Sequence, residues 1–211
     1  KWMQDQLDYW KVTNYERISA FDGREDDLSH IISGRYPEAV SSGEVGCVSS
    51  HLKSIKHWYE TTDAEYGIFM EDDCDFCSVK HWPFSWREFM ARIPYDWDCL
   101  QIAIINPRRL IANIHPRYVD DFSTACFVVN RRYAEKLMHF HCRGDKFKLD
   151  NGVRPRAVAD DLIYNAGRTY AIPLFLYKLE LGSTIHPEHI DAFHKTSREG
   201  LDHWWTNQSA D

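Results

Sequence analysis

Four acids crowd the five positions Glu71-Asp72-Asp73-Cys74-Asp75. Ionised carboxylates beside a core are costly unless a cation pairs with them, and crowded like charges raise one another's pKa. A divalent cation relieves both problems, and carboxylate oxygens suit hard ions such as Mg²⁺ and Mn²⁺. The Glu71-x-Asp73 spacing makes those two residues the candidate metal ligands, with Asp72 turned into the fold between them. The plainer alternative is an acidic turn that solvates a strand end and caps the next helix.

A second acidic point is Asp160, with Asp161 beside it, at the start of a predicted helix. An N-cap is the default reading there. The helix N-terminus also favours an ionised carboxylate, and an aspartate held ionised and aimed into a pocket can act as a general base. A third group lies near the end of the chain, where His186, His189 and His194 fall within nine positions. Solvated histidines are the ordinary explanation, but imidazoles this close can close a metal site, and Lys195 can reach a phosphate as a point charge. His51 reads as a partly buried, satisfied histidine or as a residue near a nucleotide. Glu44 reads as a first-turn helix acid, with a substrate contact as the alternative.

These residues need elements to hold them. Residues 66–70 are a short apolar β-prone run, so the acids sit at a strand's end, where open α/β sheets bind their ligands. Before it, residues 42–60 carry Val45, Val48, Leu52, Ile55 and Tyr59 on one helical stripe. Residues 2–10 have helical spacing. Residues 15–21 predict a short strand, Asp22-Gly23 a turn, and 24–43 a polar loop with a short helix. Further on, the pattern predicts a helix over 82–93 with Pro83 in its first turn, and strands over 98–105 and 122–129 flanking a loop. A helix follows over 131–140, then a basic loop over 141–157 and a helix over 160–166 stopped by Gly167. A strand over 170–177 is placed at a sheet edge by Pro173. Residues 180–211 carry little core signal. Strands alternating with helices, without repeats or low-complexity linkers, predict one α/β domain.

Composition narrows the partners. The 211 residues are 44% hydrophobic and carry a net charge of −7. That is enough apolar material for a core, and the wrong sign for a nucleic-acid backbone binder. The chain is 14% aromatic, which offers stacking surfaces for bases or sugar rings as well as core. Cys47, Cys99 and Cys126 lie in apolar segments and read as buried free thiols. Cys74-x-x-Cys77 reads as structural, because no second pair follows at zinc-finger spacing. The pattern suits a reducing compartment. With no apolar run long enough to span a membrane and no visible signal peptide, the expectation is a cytoplasmic protein without a transmembrane segment.

Several segments together resemble glycosyltransferase family 25, the family of bacterial lipooligosaccharide (lipopolysaccharide biosynthesis) galactosyltransferases and collagen β-galactosyltransferases. Gly43-Glu44-Val45-Gly46-Cys47-Val48-Ser49-Ser50-His51-Leu52 closely resembles the family's G-E-x-G-C-x-x-S-H helix start. Ile68-Phe69-Met70-Glu71-Asp72-Asp73 resembles its L-I-L-E-D-D segment. Weaker matches are Ala20-Phe21-Asp22-Gly23 to an A-x-D-G turn and residues 95–101 to a D-W-D strand entry. Residues 124–137, Asp160 with Leu162 and Ile163, and Ser183-Thr184-Ile185 match later elements in order.

The resemblance implies a GT-A fold, a Rossmann-like sheet that binds a sugar nucleotide. It implies metal-dependent, inverting transfer of a hexose, most often galactose, from a UDP-sugar to a hydroxyl on a glycan or hydroxylated side chain. Glu71 and Asp73 would hold Mn²⁺ or Mg²⁺ on the diphosphate, with His186 and His194 as further ligand candidates and Asp160 as the base. Asp22, Gly23, Glu44, His51, Asp72, Asp161, Ser183 and Lys195 become substrate-binding candidates. Family members begin with a strand ending in I-N-L-x-x-R. No such segment appears here, so the expectation is a domain over 1–211 lacking that first strand, with 180–211 closing the site. Two rivals stand beside this reading. One is a non-catalytic GT-A-like module that binds a glycan or nucleotide. The other is a metal-dependent hydrolase or nucleotidyltransferase, which would gather further carboxylates in the same pocket.

Overall fold

The structure, a computed structural model, describes residues 1–24, 28–37, 40–149, 157–179 and 190–208, without the side chains of 190, 192 and 208. Its helices are α1 (Trp2–Tyr9), α2 (Ser42–Thr61), α3 (Trp86–Met90), α4 (Arg131–His141), α5 (Ala159–Tyr164) and α6 (Lys195–Gln208). The strands are β1 (Tyr66–Met70), β2 (Cys74–Asp75), β3 (Cys99–Ala103), β4 (His115–Pro116), β5 (Cys126–Asn130), β6 (Cys142–Arg143), β7 (Lys146–Phe147) and β8 (Thr169–Tyr177). β6 and β7 form a small hairpin, and the others form a mixed sheet in the order β1-β5-β3-β8-β2, with β4 also on β8. β3 and β8 are parallel, and β5 runs antiparallel to both β1 and β3. The carboxyl ends of β1, β3 and β8 therefore share one edge of the sheet with the start of β5.

Alternation along the strands feeds two cores, one on each face. Phe69, Cys99, Phe127 and Val129 pack with Val45, Val48, Leu52 and Ile55 of α2, Tyr133 and Leu137 of α4, and Leu162 and Ile163 of α5. Leu100, Ile102, Cys126, Val128 and Leu174 pack with Leu7 of α1, Phe89 of α3 and Trp205 of α6. This is an α/β fold with helices on both faces of a mixed sheet. No described helix is long and apolar enough to cross a membrane.

Four expectations are corrected. Residues 15–21 join no ladder, and residues 11–20 are exposed apart from Ile18. Their neighbours are helical residues instead, with the Phe21 N–H donating to Ser50 Oγ and Lys53 Nζ to the Ser19 carbonyl. The helix expected over 82–93 covers only Trp86–Met90, because Ser85, in extended geometry, forms a capping box with Glu88. Pro173 lies inside the sheet rather than on its edge. The β3–β8 register breaks between Gln101 and Ala103, and the other neighbours pair only at Tyr170–Ala171 and Leu176–Tyr177, so no ladder demands the missing N–H. The end of the chain supplies core after all. Leu201 and Trp205 are buried, and Trp205 Nε1 donates to the Pro173 carbonyl at 2.9 Å.

The Phe21–Gly23 segment crosses the start of α2 with backbone close against backbone. A Cβ on Gly23 would lie 1.8 Å from the Ser42 carbonyl oxygen, and one on Gly46 would lie 2.7 Å from that of Phe21. Both obstacles are backbone, so relief requires the segment to move. Gly23→Ala is expected to destabilise the fold by about 1–3 kcal/mol, read as a lower urea midpoint. An unchanged midpoint would show that the Phe21–Gly23 segment is not seated on α2.

Candidate active site

The carboxyl end of β1 delivers Glu71, and the turn after it delivers Asp72 and Asp73. Asp72 is exposed, whereas Glu71 and Asp73 are partly buried, so the middle acid faces outward rather than into the fold. Glu71 Oε1 accepts from His51 Nε2 at 2.9 Å and from Thr124 Oγ1 at 2.7 Å. Burial pushes the Glu71 carboxyl up, but the His51 hydrogen bond and charge, then the Thr124 hydroxyl, outweigh it and hold the group below its ordinary value. Asp73 has weaker help, from its own backbone N–H and the His51 charge. Its Oδ1 is buried and meets no hydrogen-bond partner among the described residues. Burial first, then repulsion from Glu71 and Asp72, pushes its pKa to about 7.

Asp160 approaches the same edge from α5. It is not the N-cap. Val158 occupies that position, and no side chain caps the helix. Asp160 instead accepts the Ser123 N–H at 2.8 Å, and Arg117 Nη2 stands 3.7 Å away. Burial raises its pKa to about 6 against the lowering pull of Arg117 and the Ser123 N–H, while Glu71 and Asp161 add to the rise. Adjacent residues of one loop, Ser123 and Thr124, hold Asp160 and Glu71 respectively, which brings the two acids to one site.

The loop entering β5 makes this juxtaposition. Ser123 has φ +99°, an uncommon geometry for a residue with a side chain. That turn aims its N–H at Asp160 and its carbonyl at Gln101 Nε2 (3.0 Å) and the Tyr164 hydroxyl (2.8 Å). Gln101 is fully buried in β3 and donates also to the Asp121 and Phe122 carbonyls. Arg117 donates to Gln101 Oε1 and the Asp121 carbonyl, with its guanidinium over the Tyr164 ring. None of Gln101, Arg117, Ser123, Thr124 and Tyr164 was singled out from sequence as a site residue. The one visible signal was a lone amide within the otherwise apolar β3.

The remaining candidates divide. His51, on α2, is brought directly to Glu71. Cys47 lies one turn earlier, and its sulfur joins the His51 nitrogen and a Glu71 oxygen in a group whose donor atoms all lie within 4.8 Å of one another. The expectation that Cys47 is merely a buried thiol is therefore incomplete. Burial, then the charges of Glu71 and Asp160, push that thiol well up. Glu44 is accounted for by α2 itself, because its Oε2 accepts from Ser41 N–H (2.7 Å) and Ser41 Oγ while Ser41 Oγ accepts its N–H. This capping box supports the helix-acid reading and gives no support to a substrate contact. Asp22 is engaged by the Arg24 backbone and guanidinium, which lower its pKa to about 2, and Gly23 serves the crossing over α2. Asp161 accepts from Asn165 Nδ2 within α5. The His194 ring packs edge-on against Tyr177, whose hydroxyl donates to the His194 carbonyl, and Tyr177 pairs with Cys74. His194 thus reaches the acidic end of the sheet but is not in the converging Cys47–His51–Glu71 group. Lys195 is the exposed first residue of α6. Ser183, His186 and His189 lie outside the described residues.

The donor set fits a cation. Asp73 Oδ1 is a buried oxygen without a hydrogen-bond partner among the described residues, and its carboxyl is pushed up chiefly by burial and then by the charges of Glu71 and Asp72, which a cation would offset. Compared with known proteins, the chain matches no family model and no curated protein.

Proposed function

We propose that the chain is a metal-dependent, inverting glycosyltransferase of GT-A type that moves a hexose, with galactose the leading candidate, from a UDP-sugar to a hydroxyl on a glycan or a hydroxylated side chain. The observation that carries this reading is the gathering of Glu71, Asp73 and Asp160 at one edge of the sheet with opposed properties. Glu71 is held below its ordinary pKa, Asp73 carries an oxygen with no partner among the described residues, and Asp160 is raised to a pKa of about 6. Helices on both faces of a mixed sheet, with acids at a strand's carboxyl end, are compatible with a nucleotide-sugar site.

Asp73 and Glu71 would hold Mn²⁺ or Mg²⁺. Such an ion supplies charge neutralisation for the departing nucleoside diphosphate. The chain's own residues do the rest. His51 and Thr124 fix the Glu71 carboxylate through hydrogen bonds to one of its oxygens. Asp160 accepts the acceptor hydroxyl's proton as that oxygen bonds to the anomeric carbon and the bond to the diphosphate breaks on the opposite face. Arg117 and the Ser123 N–H keep Asp160 ionised near neutrality and hold its orientation. Asp72, exposed between the two inward acids, and Lys195 at the start of α6 would contact the substrate's polar groups.

The test is calorimetric titration of UDP with and without Mn²⁺, followed by a screen of UDP-sugars for transfer and hydrolysis. UDP is expected to bind at least about tenfold more tightly with Mn²⁺, or 1.4 kcal/mol. Equal affinity in both conditions would remove the metal assignment. Metal-enhanced binding without transfer or hydrolysis of any UDP-sugar would leave a binding module and remove the base.

A further inference from the structure

The group whose donor atoms converge most closely among the described residues is a mixed one rather than an all-carboxylate one. Cys47 and His51 stand four residues apart on α2, hence on one helix face, and Glu71 meets them from the end of β1. Sulfur, imidazole nitrogen and carboxylate oxygen lie within 4.8 Å of one another. We propose that Cys47, His51 and Glu71 form a zinc site, distinct in donor chemistry from the hard-ion site proposed above and sharing Glu71 with it.

Thiolate and imidazole ligands select zinc-class ions, while carboxylate and water suit magnesium and manganese. Around tetrahedral zinc, donors sit roughly 3.3–3.8 Å apart for bonds of about 2.0–2.3 Å. No separation here exceeds 4.8 Å, so modest side-chain shifts bring the donors to that spacing, and the 2.9 Å hydrogen bond between His51 and Glu71 opens to admit the ion. His51 is buried and its Nε2 already faces the site, so little rearrangement is needed. Helix α2 is a rigid platform, 20 residues long and closed at its start by the capping box. Three protein ligands leave a fourth position open, the arrangement of exchangeable rather than closed structural zinc. On binding, the Cys47 thiol proton is released to solvent. The ion then occupies Glu71, so zinc withdraws one carboxylate from the hard-ion site.

The experiment uses the whole chain with metal alone and no nucleotide, so its outcome does not depend on sugar transfer. Zinc is titrated by calorimetry, and cobalt is used as a spectroscopic substitute. One equivalent is expected to bind with proton release, and cobalt should show sulfur-to-metal charge-transfer absorption. Cys47→Ser should abolish that absorption and weaken zinc by at least about tenfold, the size of effect that outer-shell changes alone produce. Asp73→Asn should retain both. In unaltered protein, zinc should protect Cys47 from alkylation, read by peptide mass, which covers the case in which Cys47→Ser does not fold. Zinc binding that survives Cys47→Ser but is lost in Asp73→Asn, cobalt binding without the sulfur band, or unprotected Cys47 would each overturn the site.

Discussion

Asp160→Asn is expected to lower turnover by about 10²–10⁴-fold, the range attributable to one general base, while UDP affinity with Mn²⁺ is unchanged. The substitution is nearly isosteric, and the amide oxygen can still accept the Ser123 N–H, so the strained loop into β5 keeps its anchor. Arg117 keeps its hydrogen bonds to Gln101 and the Asp121 carbonyl. What disappears is the ability to take a proton. The wild-type kcat/KM should rise with pH through about 6, because the base must be ionised and its pKa is raised to that value chiefly by burial. The variant should lose that ascending limb. Linkage has the opposite sign for stability. A carboxyl with a raised folded pKa favours the folded state while protonated, and that contribution is lost as pH rises from the ordinary value of 3.8 towards 6. Normal turnover in Asp160→Asn would remove this residue as the base, and loss of UDP affinity would mean that it serves the nucleotide instead.

The parts of this site that were legible in sequence are those set by local chemistry. Strand β1 and its acids are contiguous in the chain. Helix α2 carries an apolar stripe and a first-turn acid in Glu44, and it forms where the pattern placed it. What was not legible depended on distant partners. Residues 15–21 have strand-like composition, but a strand requires a ladder, and none of the described residues supplies one. Pro173 looked like an edge marker because sequence does not reveal that β3 bulges opposite it. The α6 segment looked solvated because its apolar content is reduced to Leu201, Trp204 and Trp205 among charged residues, and only packing shows where they go. Asp160 looked like an N-cap because the competing acceptor role, to a backbone N–H 37 residues earlier, is created by the fold. Cys47 looked inert because its relation to His51 and Glu71 needs both α2 and β1 in place.

Asp73→Asn is expected to abolish the metal enhancement of UDP binding and, at the same time, to make the metal-free protein more stable. Both effects share one cause. The Asp73 carboxyl lies beside Glu71 and Asp72 with one buried oxygen that has no partner among the described residues, and its pKa is raised to about 7 by burial and then by those charges. Since the folded pKa lies above the ordinary value of 3.8, the folded state binds the proton more tightly than the unfolded chain does. Stability is therefore lost as pH rises towards 7, and above that the ionised group carries its full penalty. A neutral amide removes that penalty. At about pH 8 the gain should be on the order of 1–3 kcal/mol, or about 2–4 °C in Tm per kcal/mol for a chain of this size. Saturating Mn²⁺ should raise the Tm of the wild type at that pH and have no effect on the variant, because the carboxylate charge the ion would neutralise is gone. Lowering the pH below 7 should weaken Mn²⁺ in the wild type, as protons compete for the same carboxyl. The trade of stability for a charged site is the pattern of a functional carboxylate. A solvated acidic turn predicts the reverse: no gain in Tm from the amide, no response to Mn²⁺, and unaltered UDP affinity.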